Sequence, residues 1–120
     1  MKILIVDDST AMRMIVRKTM RQAGFDGHEF TEAEDGAKAL AAIKATPPDL
    51  VLSDWNMPNM TGIELLESLT KDGIKVRFGF VTTEATPDMR QRATGAGASF
   101  LISKPFTPES FKETLGPFIK

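Results

Sequence analysis

Residues Leu50 to Gly62 read LVLSDWNMPNMTG. Leu50 to Ser53 is a short apolar run, the pattern of a strand covered on both faces. It ends on Asp54, and Trp55, Asn56 and Pro58 follow at once. The next stretch, GIELLESLTK, has helical spacing and ends near Asp72-Gly73. The segment is therefore strand, loop, helix, with a carboxylate where the strand gives way to the loop. A charge at the end of a buried strand needs compensation from elsewhere in the chain.

The same unit recurs on both sides. Ile3 to Val6 is a continuous apolar run that stops at Asp7-Asp8. Ser9 is suited to cap a helix carrying Met12, Ile15, Val16 and Met20 up to Gly24. HEFTEAE is a more polar strand candidate, fit for a sheet edge. Asp35-Gly36 opens a helix with Leu40 and Ile43 inward, and Pro47-Pro48 closes that region. Val76 to Val81 reads as the fourth strand, with Gly79 an unexpected interior residue that marks a close approach or a softer strand end. Thr86 caps a helix with Pro87 at its first position. Phe100 to Ile102 is the fifth strand, and Thr107-Pro108 opens a last helix striped by Phe111, Leu115 and Phe118.

Strand and helix alternate five times. This predicts an α/β fold: a doubly wound, five-stranded parallel sheet with right-handed crossovers and helices on both faces. Without a linker or repeat, residues 1–120 read as one domain with nothing left for a separate output domain.

Composition narrows the function classes. Hydrophobic residues make up 42% and charged residues 26%, ordinary for a soluble globular chain. A formal net charge of -1 gives no pull toward nucleic acid or anionic lipid. The absence of cysteine excludes disulfides and thiolate metal sites and fits a reducing compartment. The apolar run in MKILIVDD is too short for a signal segment, and nothing approaches the ~20 apolar residues of a membrane span. The expectation is a soluble cytoplasmic protein with no nucleic-acid or membrane partner, and a monomer.

In doubly wound sheets ligands bind at the carboxyl ends of the strands. The first strand ends in Asp7 and Asp8, the third in Asp54, the fourth in Thr82 and Thr83, and the fifth in Lys104 before Pro105. On one rim, these carboxylates repel and raise one another's pKa unless a hard cation joins them. Mg2+ suits such a site, because it takes oxygen ligands and needs only one or two protein carboxylates plus a phosphate. Phosphoryl transfer uses the same parts: a carboxylate nucleophile, a lysine and a hydroxyl against the phosphoryl oxygens.

LIVDDS, SDWNMPNMTG, VTTEA, GAGASFLISKPF and the final helix together resemble the receiver domain of two-component response regulators. DWNMPNMTG is similar to the chemotaxis branch of stand-alone receivers. The resemblance implies the flavodoxin-like strand order 2-1-3-4-5, and it implies that Asp54 is the phosphoacceptor and that Asp8 ligates Mg2+ directly, with Asp7 acting through a bound water. It implies that Asn56 offers its backbone carbonyl to the metal, that Thr82 and Lys104 bond the phosphoryl group, and that the Lys104-Pro105 peptide is cis. The implied partners are a chemotaxis-type histidine kinase, a flagellar motor switch protein and a phosphatase. Signal then leaves through the face made by the fourth helix, fifth strand and fifth helix. The chain departs from the pattern at Leu101, where receivers carry a rotating Tyr or Phe, and at Thr83, where a smaller residue is usual.

Other residues carry weaker signals. Trp55 is either a rim-packing residue or a partner contact. His28 reads as a surface residue. Arg13, Arg17, Lys18 and Arg21 give the first helix a basic face, read as solvated in preference to binding an anionic partner. The methionines read as core and rim filler, with Met57 and Met60 able to form an adaptable contact. Glu84 and Asn56 are candidates for tuning hydrolysis. Two other functions compete: a phosphate sink or phosphorelay carrier, which Leu101 favours, and an aspartate-nucleophile phosphatase. The phosphatase is disfavoured because such enzymes carry Asp-x-Asp after the first strand, plus a cap.

Overall fold

The computed structural model describes residues 1–83 and 85–119; Glu84 therefore lies outside the described residues. The elements alternate as β1 (Lys2–Val6), α1 (Thr10–Gln22), β2 (Glu29–Ala33), α2 (Gly36–Ala45), β3 (Leu50–Ser53), α3 (Gly62–Lys71), β4 (Arg77–Thr82), α4 (Pro87–Gly95), β5 (Phe100–Ser103) and α5 (Pro108–Leu115). The sheet has the expected order, β2-β1-β3-β4-β5, and every neighbouring pair is parallel. The most polar strand, β2, is at an edge, where only one face needs apolar cover.

Side-chain alternation divides the interior into two layers. Leu4, Val6, Val51, Phe78 and Phe80 pack with Ile43 of α2, Leu65 and Leu69 of α3 and Ala93 of α4. Ile3, Ile5, Leu52, Val81 and Ile102 pack with Val16 and Met20 of α1 and Phe111 and Leu115 of α5. Ser9, Thr86 and Thr107 each accept a backbone N–H from the residue three positions on, as their side-chain chemistry predicts. Among the described residues, no helix is long and apolar enough to cross a membrane.

Three expectations change, and one is made specific. β4 is displaced by one residue, because its ladder begins where Arg77 pairs Leu50. Phe118 does not belong to the α5 stripe: the helix ends at Leu115, and Pro117 cannot continue it. Phe118 instead stacks on Phe100 at 5.7 Å, beneath the Arg77 guanidinium at 4.6 Å. Ile15 and Met14 of α1 are 47% and 65% exposed, so neither is core or filler. Gly79 does mark a close approach: a Cβ there would overlap the ring of Phe100, its partner on β5. That ring fills the space the glycine leaves.

Candidate phosphoacceptor site

The carboxyl ends of β1, β3, β4 and β5 bring the predicted residues to one rim. β1 and β3 are adjacent, and the Asp54 N–H donates to the Val6 carbonyl at 2.8 Å. Asp54 thus starts beside Asp7 and Asp8. Across the sheet, the Lys104 N–H donates to the Thr82 carbonyl at 2.8 Å, extending the β4–β5 ladder by one residue. The Lys104 ammonium reaches back over the rim to Asp7 Oδ2 at 3.2 Å and Asp54 Oδ1 at 3.7 Å. The Lys104-Pro105 peptide is cis, as expected.

Asp7 is 4% exposed, and its other oxygen, Oδ1, accepts the Ser9 N–H at 2.9 Å. Asp8 is exposed, and Asp54 is half-buried, with its Oδ1 accepting the Trp55 N–H at 2.8 Å. Carboxylate oxygens of Asp7, Asp8 and Asp54 all lie within 4.8 Å of one another. Burial raises the Asp54 pKa above the usual carboxylate range; Lys104 opposes that rise, and the charges of Asp7 and Asp8 add to it. Among the described residues three clustered acids face one ammonium, a surplus of negative charge. A donor set of hard oxygens with that surplus fits a divalent cation of the Mg2+ type.

Thr82 is fully buried at the end of β4, and Thr83 beside it is exposed. Asn56 is exposed, two residues past Asp54, and is not one of the clustered acids. Trp55 resolves to packing: it is 7% exposed, with its ring 4.7 Å from Phe80. Met57 is buried too, and Met60 packs against the same core. Leu101 is half-buried and packs on the α2–α3–α4 side of the sheet, while Phe100 packs on the other.

The loop from Asp54 to Gly62 is held at both ends. A Cβ on Gly62 would overlap the Asp54 carbonyl, and the Gly62 N–H donates to the Trp55 carbonyl at 2.8 Å. Midway, Asn59 adopts a φ of 68° and donates its side-chain amide to Asp35 Oδ2 at 3.1 Å. Asp35, buried at the start of α2, caps that helix through Oδ1 on the Lys38 N–H, and these hydrogen bonds hold its carboxyl below the usual range. Sequence reading sees the cap and misses the tether. A Pro-Asn step in a loop, with Asn tolerant of positive φ, is the one signal that could have shown it. His28 is half-buried, its Nδ1 3.1 Å from the N-terminal amine.

The arrangement defines a class: a parallel α/β domain with an acid cluster, a lysine and a buried threonine on one rim. The chain belongs to the response regulator receiver family, whose sequence model, the response regulator receiver domain, matches residues 3–116. It is 42% identical over 117 residues to chemotaxis protein CheY-3 of Vibrio cholerae, covering 96% of this chain and 88% of that one. It is 40% identical to chemotaxis protein CheY of Pseudomonas aeruginosa, covering 96% and 93%. Among solved structures, Vibrio cholerae chemotaxis protein CheY4 superposes with a TM-score of 0.84 at 36% identity, covering 98% of each chain.

Proposed function

We propose that the chain is a chemotaxis-type response regulator that accepts a phosphoryl group on Asp54 from a histidine kinase and signals by a change in protein binding. The observation that carries this reading is the convergence of Asp7, Asp8 and Asp54 with Lys104 at the carboxyl end of the sheet. An ionised Asp54 oxygen attacks the phosphorus of a kinase phosphohistidine. The P–N bond breaks, its electron pair returns to the imidazole, and an acyl phosphate remains on Asp54. No general base is required, because the nucleophile carries no proton when ionised.

Asp8, Asp54, the Asn56 carbonyl and, through water, Asp7 are the groups that would hold Mg2+. When bound, the ion neutralises charge on the transferring phosphoryl oxygens. Lys104 exchanges its contacts with the carboxylates for a phosphoryl oxygen, and Thr82 donates its hydroxyl to another. The new charge then biases the surface formed by α4, β5 and α5. We assign the chain no catalytic turnover beyond its own phosphorylation and dephosphorylation. Its setting is the cytoplasm, it acts as a monomer, and its partners are a chemotaxis-type kinase, a flagellar motor switch protein and a phosphatase.

Incubation with Mg2+ and acetyl phosphate tests this reading. A stoichiometric, alkali-labile phosphoryl adduct is expected on the wild type and none on Asp54→Asn; equal labelling of the variant overturns it. Steady turnover of phosphate monoesters would instead indicate a phosphatase. Leu101, in place of the usual aromatic, favours a second reading within the same class: a phosphate sink or relay carrier. Binding to a motor-switch peptide with and without beryllofluoride separates the two, since a sink shows no phosphoryl-dependent gain.

A further inference from the structure

Arg13 is a charged residue in an expensive position. Its side chain is only 12% exposed, so its donors must be satisfied within the protein. Nη1 donates to the Asp7 carbonyl at 2.6 Å, Nη2 to Thr10 Oγ1 at 3.1 Å, and Nε to Glu32 Oε1 at 2.9 Å. One planar fork therefore ties the end of β1 to the start of α1 and fastens both to the edge strand β2. The segment it spans contains Asp7, Asp8 and the capping residue Ser9.

Neither the basic helix face nor helix capping accounts for this arrangement. A solvated arginine spends no donor on a backbone carbonyl of the preceding strand. Ser9 already caps α1 by accepting the Met12 N–H at 3.2 Å. What Arg13 adds is the orientation of the turn between strand and cap, where two of the three clustered carboxylates originate. Asp7 also spends both side-chain oxygens, one on the Ser9 N–H and one on Lys104. Its backbone carbonyl is the remaining handle by which the turn can be held from behind, and Arg13 takes it.

We infer that Arg13 is a positioning residue for the acid cluster: its fork holds the Asp7–Thr10 turn so that the Asp7 and Asp8 carboxylates converge with Asp54, and it thereby sets the affinity for a divalent cation. This rests on the metal-binding reading proposed above. A lysine keeps the charge but not the fork, so Arg13→Lys separates geometry from electrostatics. Glu32→Gln weakens the anchor on β2 and leaves the two bonds to the turn in place.

The test is a Mg2+ titration of the full chain, followed by the fluorescence of Trp55, whose backbone N–H donates to Asp54 Oδ1. Urea unfolding and the exchange rate of the Ser9 amide are measured in parallel. Arg13→Lys is expected to raise the apparent Kd for Mg2+ roughly tenfold, the size typical of losing a group that orients a metal ligand. It should also speed Ser9 exchange while the urea midpoint stays near that of the wild type. Glu32→Gln should move affinity and exchange the same way by less. A wild type that saturates with Mg2+ beside an Arg13→Lys of equal affinity overturns the inference, whatever its urea midpoint. If Arg13→Lys does not fold, unchanged affinity and exchange in Glu32→Gln overturn it. A wild type with no saturable response overturns the metal reading itself and the inference with it.

Discussion

The two ends of the sheet use similar residues to opposite effect. At the amino end, Met1, Asp49, Lys75 and Arg77 line an open cleft of about 570 Å³ with Leu50 and Phe118. The charges there are exposed; Asp49, for instance, accepts the Lys2 N–H at 2.7 Å at an exposed position. At the carboxyl end, Asp7 and Lys104 are nearly buried, and their charges are compensated within the protein. An open hollow thus lies at the end with solvated charges, and the acid cluster lies at the end where Asp7 and Lys104 are buried together. Desolvation makes a charge reactive and responsive to its neighbours, and concavity alone does neither.

The sharpest way to break this contrast is to neutralise one acid at each end. Asp54→Asn should abolish labelling by acetyl phosphate, while Asp49→Asn should label like the wild type. A phosphoryl adduct retained by Asp54→Asn, or lost in Asp49→Asn, would move the site.

Glycines at the two ends provide a second contrast. A Cβ on Gly62 meets the Asp54 backbone carbonyl, which cannot swing aside. Gly62→Ala should cost about 3 kcal/mol of stability, at the upper end of overpacking penalties, and should also impair labelling, because the atom displaced belongs to Asp54. Gly95, in the last turn of α4, has nothing within 4 Å of its Cβ position. Gly95→Ala should be neutral or stabilising by up to about 1 kcal/mol, since Ala is the better helix former. Urea denaturation of both variants measures the difference.

Sequence legibility follows the same division. The buried strands, the caps at Ser9, Thr86 and Thr107, and the acids at strand ends are local patterns, and each is found where its pattern predicts, β4 to within one residue. Arg13, Asn59 and Phe118 are not legible in this way. Each takes its role from a residue distant in the chain: Glu32 for Arg13, Asp35 for Asn59, Phe100 for Phe118. The basic face of α1 loses Arg13 to the interior for that reason. Ile15 shows the converse failure, since helical period identifies an apolar residue but not how far a neighbouring helix covers it.

Protonation gives a third contrast, between Asp54 and Asp35. Burial raises the Asp54 pKa above its unfolded value of about 3.9, so its contribution to stability is greatest at low pH and is lost as pH rises through the raised value. At neutral pH its charge therefore destabilises the fold, and Asp54→Asn should raise Tm by a few degrees, the gain fading as pH falls through the raised value toward about 3.9. Asp35 has the opposite sign: its pKa is lowered by the Lys38 N–H and the Asn59 amide, so its contribution is present at neutral pH and lost as pH falls. Asp35→Ala should lower Tm at neutral pH. Thermal melts from about pH 2 to 8 distinguish the two; a drop in Tm for Asp54→Asn at pH 7 would show that the site carries no surplus charge.

The smallest difference lies between adjacent residues. Thr82 and Thr83 follow one another at the carboxyl end of β4, the first fully buried and the second exposed. In the proposed function Thr82 bonds the phosphoryl group, while Thr83 affects only what reaches it. Its methyl and hydroxyl add bulk at the exposed rim, and in the proposed function that bulk obstructs the water attacking an Asp54 acyl phosphate in line. Thr83→Ala should therefore accelerate dephosphorylation about threefold, equivalent to roughly 0.65 kcal/mol of barrier, and leave the extent of labelling unchanged. The decay of the phosphorylated form after removal of acetyl phosphate reads this directly. A rate equal to or slower than that of the wild type would mean that Thr83 does not screen the site, and that water access is controlled from another part of the rim.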